Sequence, residues 1–88
     1  MKWRVDYSRG SEIFLEKQNI REEVREELRR FLIRLKGENV NVDVKKLTGD
    51  WTGYYRLRKG EIRIIFSLNK SEKSLYVEKI DYRGDVYK

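Results

Sequence analysis

The chain has 88 residues and contains no cysteine and no histidine, which excludes disulfides, zinc–thiolate sites and a histidine general base. Lysine and arginine exceed aspartate and glutamate by 21 to 15, a net charge of +6 that suits nucleic acid, an anionic membrane or an acidic protein partner. Hydrophobic residues at 39% support one folded domain over residues 1–88. The N-terminus lacks a signal-peptide core and no apolar run reaches membrane-spanning length, so we expect a cytoplasmic protein.

The chain begins with a predicted strand and a short helix. Trp3, Val5 and Tyr7 alternate with polar residues, as in a half-buried strand. The segment Ser8-Arg-Gly-Ser11 supplies turn and N-cap residues, and the helix is predicted over Glu12–Gln18.

A longer second helix is predicted from its apolar period. Asn19 and Glu22 have the spacing of a capping box at its start, and Gly37 suits the position just after its end. Glu26 and Arg30 are spaced for an ion pair on its solvated side. The apolar stripe consists of Ile20, Val24, Leu28, Phe31, Leu32 and Leu35.

The second half of the chain reads as sheet. After a loop over Glu38–Asp43, the sheet is expected to restart at Val44–Leu47, continue as a β-hairpin over Gly53–Phe66, and end with a strand over Leu75–Ile80. The alternation of that last strand is too ragged to fix its inward face. We therefore predict an α+β domain in the order β-α-α-β-β-β, with two helices packed on one face of a twisted antiparallel sheet.

The hairpin collects arginines on one face. With Lys59-Gly60 as its loop, Arg56 lies directly opposite Arg63, and this repulsion favours an anion lying over the pair. The other predicted pairs are Arg58 with Glu61, Leu57 with Ile62, and Tyr55 with Ile64. The predicted apolar face consists of Tyr55, Leu57, Ile62, Ile64 and Phe66.

Two interpretations of this basic face stay open. Lys45 or Lys46 and Arg83 extend it, and tyrosines 54, 82 and 87 are suited to stacking on unpaired bases, which indicates a nucleic-acid site. Alternatively, the arginines are solvated or paired with Glu61, Glu78 and Asp81. No carboxylate pair or glycine-rich loop has the spacing of a metal or phosphate site, so we expect no cofactor and no metal.

Three segments together resemble a known family. The pattern Lys46-Leu47, the hairpin Gly-Tyr-Tyr-Arg-Leu-Arg-Lys-Gly-Glu-Ile-Arg-Ile-Ile-Phe over Gly53–Phe66, and the tail Arg83-Gly-Asp-Val-Tyr87 resemble the RelE/ParE superfamily of toxin–antitoxin toxins. The resemblance implies a toxin covered by a cognate acidic antitoxin. RelE-like members are ribosome-dependent endoribonucleases that cut mRNA in the decoding site and inhibit translation, whereas ParE-like members poison DNA gyrase.

The resemblance also implies roles for individual residues. Arg63 matches the transition-state clamp, Arg56 and Arg83 match two further basic catalytic sites, and Tyr87 matches the terminal tyrosine that stacks on a base or assists proton transfer. The remaining RNA-binding candidates are Lys46, Tyr54, Arg58 and Tyr82. This chain departs from many relatives in having Tyr82 where they have histidine, and from some in having Tyr54 where they have lysine.

Three functions are therefore compared. The leading one is a RelE-like mRNA interferase acting on ribosomes, which the tail with Arg83 and Tyr87 favours. The second is a ParE-like gyrase inhibitor, which binds its target without chemistry. The third is an inactive family member that acts as a binding module.

Overall fold

The computed structural model describes residues 2–82 of the chain. In chain order the elements are β1 (Arg4–Tyr7), α1 (Arg9–Gln18), α2 (Arg21–Leu35), β2 (Asp43–Lys46), a 3₁₀ turn (Gly49–Trp51), β3 (Tyr55–Lys59), β4 (Ile62–Asn69) and β5 (Ser74–Tyr82). The predicted α+β class is confirmed. The segment where the sheet was expected to restart forms the strand β2, so the order of elements in the described residues is β-α-α-β-β-β-β.

The five strands form one sheet in the order β1-β5-β4-β3-β2. All neighbouring pairs are antiparallel except β1 and β5, which are parallel. The prediction of an antiparallel sheet therefore holds for four strands and fails for β1. Parallel pairing is possible here because β1 and β5 lie at opposite ends of the chain, so no short hairpin loop has to join them.

Three residues mark ends of the helices. The first helix starts at Arg9, three residues before the predicted Glu12, because Ser8 is its N-cap and the Ser8 hydroxyl accepts a hydrogen bond from the N–H of Ser11 at 3.2 Å. The predicted capping box at Asn19 is wrong, because this residue has φ 55° and ψ 47° and ends α1 in the left-handed conformation, which asparagine tolerates. Gly37 follows α2 with φ 108°, as predicted for its C′ residue.

The hydrophobic core lies between the two helices and one face of the sheet. The predicted stripe of α2 is buried from Ile20 to Phe31, whereas Leu35 at its end is exposed. The helical core residues are Leu15, Ile20, Val24, Leu28 and Phe31, and the strand core residues include Leu57, Ile64, Phe66, Leu75, Val77 and Ile80. The sheet is therefore covered on one face by the helices, and the opposite face is called here the outer face.

The register of the hairpin differs from the prediction by two residues. Its loop is Gly60-Glu61 and not Lys59-Gly60, so Arg58 lies opposite Arg63 and Arg56 lies opposite Ile65. Gly60 has φ 58° and takes the first loop position, where one type of hairpin turn requires a positive φ. Because side chains alternate with a period of two, the shift leaves the predicted apolar and polar faces unchanged.

A β-bulge explains the ragged pattern of β5. Ile65 pairs with Lys79 and Phe66 pairs with Val77, so Glu78 is an extra residue in the ladder. Val77 and Ile80 therefore both face the helices although three positions separate them. The bulge also places Lys79 on the outer face beside Ile65.

Two arginines of α2 bind the backbone that leads into β2. Arg30 donates to the carbonyl of Asn41 at 2.6 Å, and Arg34 donates to the carbonyl of Val42 at 3.1 Å. The predicted partner of Arg30 was Glu26, but Glu26 instead accepts from Arg29 at 2.8 Å. Two arginines of α2 thus fix the backbone immediately before the first residue of β2.

Candidate nucleic-acid-binding face

The outer face presents charged side chains in two rows that cross four strands. Within each row the residues are neighbours in the register of β2, β3, β4 and β5. The first row is Asp43, Arg58, Arg63 and Asp81. The second row is Lys45, Arg56, Ile65 and Lys79.

The first row balances its charges. Arg58 and Arg63 are directly opposed, and an acid lies beyond each of them, Asp43 on β2 and Asp81 on β5. Asp43 forms an ion pair with Arg58, and its Oδ2 lies 2.6 Å from Arg58 Nε. The formal charges run negative, positive, positive, negative, so an acid flanks each of the opposed arginines in the register. The argument from the predicted register does not carry over, because Arg56 lies opposite Ile65 and not opposite Arg63.

The second row carries three cationic residues and no acid. At its centre Ile65 is fully buried although it lies on the side of the sheet away from the helices, and its register neighbours are Arg56 and Lys79. Long basic side chains cover apolar surface with their methylene stems while the charged head stays accessible. The second row is thus the most positive part of the outer face that the structure describes.

Arg56 is more deeply buried than Arg58. Its side chain is 14% exposed, against 49% for Arg58. One Nη2 hydrogen bond of 2.9 Å joins it to Asp43, while its Nε is buried and has no hydrogen-bond partner among residues 2–82. An unsatisfied buried donor costs about 1–3 kcal/mol, and more on a charged group. The Arg56 guanidinium therefore keeps one hydrogen-bond donor that no described residue satisfies.

Arg63 is oriented by the turn that precedes it. Its Nη1 donates to the carbonyl oxygen of Gly60 at 2.8 Å and, more weakly, to that of Ile62 at 3.4 Å. These contacts fold the guanidinium towards the hairpin end of the outer face. Arg63 and Arg56 are therefore brought to the same face, on adjacent rows, by the two strands of the hairpin.

An aromatic pair lies at the other end of β3. Tyr54 is half-buried, and its ring meets Trp51 edge-on, with centroids 5.4 Å apart and planes at 87°. The ladder continues past β3, because Leu47 N–H donates to the carbonyl of Tyr54 at 3.0 Å. Alternation therefore places the Tyr54 side chain on the same side of the sheet as Arg56.

Two of the predicted RNA-binding residues lie on the helix side of the sheet. Lys46 pairs with Tyr55, whose ring stacks on the core residue Phe66. Tyr82 packs edge-on against Phe14 at 5.3 Å, and its hydroxyl donates to Gln18 Oε1 at 2.9 Å. The structure thus separates Lys46 and Tyr82 from Arg56, Arg58 and Arg63. The predicted catalytic residues Arg83 and Tyr87 lie outside the described residues.

Three outer-face residues were missed or left undecided by sequence reasoning. Lys45 rather than Lys46 shares a face with Arg56, and only the pairing of β2 with β3 distinguishes the two. Lys79 reaches the face because of the bulge. Asp43 was assigned to a loop, yet it is the first residue of β2 and pairs with two arginines. No local pattern marks any of the three.

A groove lies between β1 and α2. This groove has a volume of about 590 Å³ and is lined by Trp3, Val5, Tyr7 and residues of α2. Burial raises the pKa of the Tyr7 hydroxyl above its ordinary value, and Arg21 lies 5.9 Å from the ring centroid and partly opposes that shift. Among residues 2–82 there is no cluster of acidic side chains suited to holding a metal ion, and no helix there has the length and apolarity to cross a membrane.

Several solved structures share this architecture. The chain is 30% identical to a chain of the archaeal RelE–RelB complex from Pyrococcus horikoshii OT3, and the match has a TM-score of 0.63. It covers 98% of this chain and 100% of that chain. A RelBE toxin–antitoxin complex from Mycobacterium tuberculosis matches with a TM-score of 0.71 at 19% identity, covering 94% of this chain and 100% of that one. A YoeB/ParE toxin from Agrobacterium tumefaciens matches with a TM-score of 0.67 at 21% identity, covering 91% and 98%.

No protein-family model matches the sequence, and neither does any curated protein. The family therefore rests on the fold together with the identity to the archaeal complex over nearly the whole chain. Two helices on one face of a five-stranded, mostly antiparallel sheet are the RelE-like fold. The chain belongs to the RelE/ParE superfamily of toxin–antitoxin toxins, as its hairpin and tail motifs predicted.

Proposed function

We propose that the protein is the toxin of a type II toxin–antitoxin system and cleaves ribosome-bound mRNA, thereby inhibiting translation. The observation that carries this proposal is the second row of the outer face, where Arg56 lies between Lys45 and the Ile65–Lys79 pair. A phosphodiester supplies the anionic oxygens that such a surface would bind. Arginine's planar fork matches a phosphate in a bidentate geometry.

The proposed reaction is an internal phosphoryl transfer. The ribose 2′-hydroxyl oxygen attacks the adjacent phosphorus, the bond from phosphorus to the 5′ oxygen breaks, and the products are a 2′,3′-cyclic phosphate and a 5′-hydroxyl end. The 2′-hydroxyl proton must leave, and the departing 5′ oxygen must gain one. Negative charge spreads over the phosphate oxygens in between, so preorganised cations lower the barrier.

The hairpin arginines are suited to stabilising charge and unsuited to moving protons. Arginine stays protonated at neutral pH, and the chain has no histidine to serve as a base. We assign the phosphate oxygens to Arg56 and Arg63, with Arg83 as a third cation and Tyr87 as the proton-transfer or base-stacking group. Ribosomal groups are the other source of proton transfer, which is why the proposed activity depends on the ribosome.

The neighbouring RNA contacts follow from position on the sheet. Tyr54 lies beside Arg56 and is assigned a base on one side of the reacting phosphate, and Arg58 is assigned to the RNA backbone beside Arg56. Lys46, at the exposed edge of β2, is left to contacts beyond the outer face. Tyr82, whose hydroxyl is held by Gln18, takes no part at the outer face.

A cognate antitoxin is the proposed protein partner. Acidic side chains on this partner would meet a toxin of net charge +6, so their association is expected to be fast and sensitive to salt. The antitoxin would be acidic and would keep the toxin inactive in the cytoplasm.

The test is to add purified toxin to ribosomes programmed with a defined mRNA and to map new 5′-hydroxyl ends. Arg63→Ala and Arg56→Ala are each expected to slow cleavage at least about 100-fold, the usual cost of removing one transition-state donor. Arg25→Ala is the matched control, because it removes the same charge from an exposed position on α2. No new ends with the wild-type toxin would refute the proposed reaction.

Gyrase is tested in the same series of measurements. Inhibition of DNA supercoiling by purified toxin, in the absence of mRNA cleavage, would identify a ParE-like gyrase inhibitor. Survival of cells that express the toxin without any antitoxin would identify an inactive binding module. Both outcomes would leave the family membership intact and overturn the assigned activity.

A further inference from the structure

One carboxylate organises two arginines of the outer face. Asp43 Oδ1 accepts a hydrogen bond from Arg56 Nη2 at 2.9 Å, and Asp43 Oδ2 forms an ion pair with Arg58 Nε at 2.6 Å. Arg56 and Arg58 are two residues apart on β3, so both side chains rise from the same face of the same strand. Without a shared acid, their positive charges would drive the two heads apart.

The position of Asp43 is itself fixed by the fold. It is the first residue of β2 and lies directly opposite Arg58 in the ladder. The two residues before it are held to α2, because Arg30 and Arg34 donate to the carbonyls of residues 41 and 42 at 2.6 and 3.1 Å. The carboxylate is thus attached to a backbone that is fastened to a helix.

The bridge takes one Nη2 hydrogen bond of Arg56, and the Arg56 Nε stays buried without a hydrogen-bond partner among the described residues. The shortest contact of the carboxylate with Arg58 is to its Nε, and 49% of the Arg58 side chain stays exposed. The triad of one acid and two arginines keeps a net charge of +1, so it still attracts an anion.

We propose that Asp43 is a positioning residue that holds Arg56 and Arg58 side by side as a clamp for a single phosphate group of RNA. This inference rests on the proposed function, since it assigns the phosphate to the same outer face. Asp43 does not touch the reacting atoms. It sets the separation and the orientation of the two guanidinium groups before the substrate arrives, so that little reorganisation is needed on binding.

This role predicts a separation of catalysis from binding. Replacing the acid raises the positive charge of the face, so attraction of RNA would stay the same or grow, whereas loss of orientation would slow the reaction. We expect Asp43→Asn to lower kcat for mRNA cleavage by about 10- to 100-fold with KM unchanged or lower. A carboxylate that merely added stability would change neither constant in a folded variant.

The chain offers a matched control. Asp6 forms an equally short ion pair with Arg4 at 2.8 Å, and the two acids are similarly accessible, 47% for Asp6 and 41% for Asp43. Asp6→Asn makes the same change of charge on β1, away from the two rows, and is expected to leave kcat and KM unchanged. Asp43→Glu keeps the carboxylate on a longer stem and is expected to recover most of the lost kcat.

A second measurement does not depend on cleavage. Inorganic phosphate is titrated into the isotope-labelled toxin while the Nε–H resonances of Arg56 and Arg58 are followed by NMR. The clamp predicts that both resonances shift together with one apparent affinity in the wild type and in Asp6→Asn, and that they no longer shift together in Asp43→Asn. Urea unfolding of each variant verifies that it is folded.

The outcomes separate the two proposals. If wild-type toxin cleaves mRNA and Asp43→Asn matches it in kcat and in the phosphate titration, the clamp is refuted and the proposed function stands. If wild-type toxin cleaves nothing, the proposed function fails, and the titration alone decides the clamp. Independent shifts of Arg56 and Arg58 with different affinities would also refute it.

Discussion

Replacing Ile65 by alanine tests whether the outer face has an apolar contact of its own. Ile64 and Ile65 are consecutive on β4 and both are fully buried. Ile64 belongs to the core under the helices, whereas the register neighbours of Ile65 are Arg56 and Lys79. The two positions therefore allow one substitution to be compared on the two faces of a single strand.

The expected costs follow from what surrounds each side chain. Truncation to alanine removes three carbons, about 2.4 kcal/mol of transfer free energy at about 0.8 per carbon. In the closed core at Ile64 the cavity raises the total to about 3–5 kcal/mol. At Ile65 the void is bordered by two long side chains whose stems can close over it, so we expect about 2 kcal/mol.

Urea unfolding of the purified toxin, followed by tryptophan fluorescence, measures both variants. A domain of this size has a stability of about 4–13 kcal/mol, so either loss is readily detected as a lower midpoint at unchanged m-value. We expect Ile65→Ala to be clearly the milder substitution. Equal losses at Ile64 and Ile65 would show that Ile65 lies in a closed core and would refute the assignment of its neighbours.

Three further predictions concern the helix ends and one tyrosine. Gly37→Ala is expected to destabilise the protein by about 1 kcal/mol, because it forces a φ of 108° on a residue with a Cβ atom. Gly10→Ala within α1 is expected to stabilise it by about 0.5–1 kcal/mol, because the added Cβ meets no atom within 4 Å. Urea unfolding measures both variants. Ser8→Ala is expected to cost about 1–2 kcal/mol, because the hydroxyl caps α1 and also donates to the Glu78 carbonyl at 2.8 Å, and a thermal midpoint equal to that of the wild type would contradict this role. Burial raises the folded-state pKa of Tyr7 above the unfolded value of about 10. Above about pH 10 the folded chain therefore keeps a proton that the unfolded chain loses. The stability present below about pH 10 falls as the pH rises through the raised pKa. Tyr7→Phe should flatten this alkaline loss in urea midpoints measured from about pH 9 to 11, and an unchanged slope would show that another group is responsible.

The hairpin shows how far sequence reasoning reaches. Alternation identified the face of every residue from Tyr55 to Phe66, because that period survives any even shift of register. It did not identify the partner of Arg63, since the loop depends on whether Gly60 takes the first or the second turn position. A single residue in the loop thus decided whether Arg56 or Arg58 opposes Arg63.

Other errors also arose from choices that local chemistry leaves open. Asparagine favours both a helix start and a left-handed helix end, and Asn19 adopts the second because only one residue separates it from α2. The face of β5 changes at Glu78, and a bulge is visible only once β4 is paired with it. In both cases the tertiary packing selected between two locally acceptable conformations.

The sequence by itself determined the fold class, the apolar stripe of α2, the two faces of the hairpin, and the family through its hairpin and tail motifs. These features depend on period and composition, which are local. Only the tertiary structure decided that Asp43 and Asp81 flank the opposed arginines, that Lys45 and Lys79 join Arg56 in one row, and that Ile65 is buried among them. Those relations depend on register between distant strands, where one residue of slip or one bulge changes every neighbour.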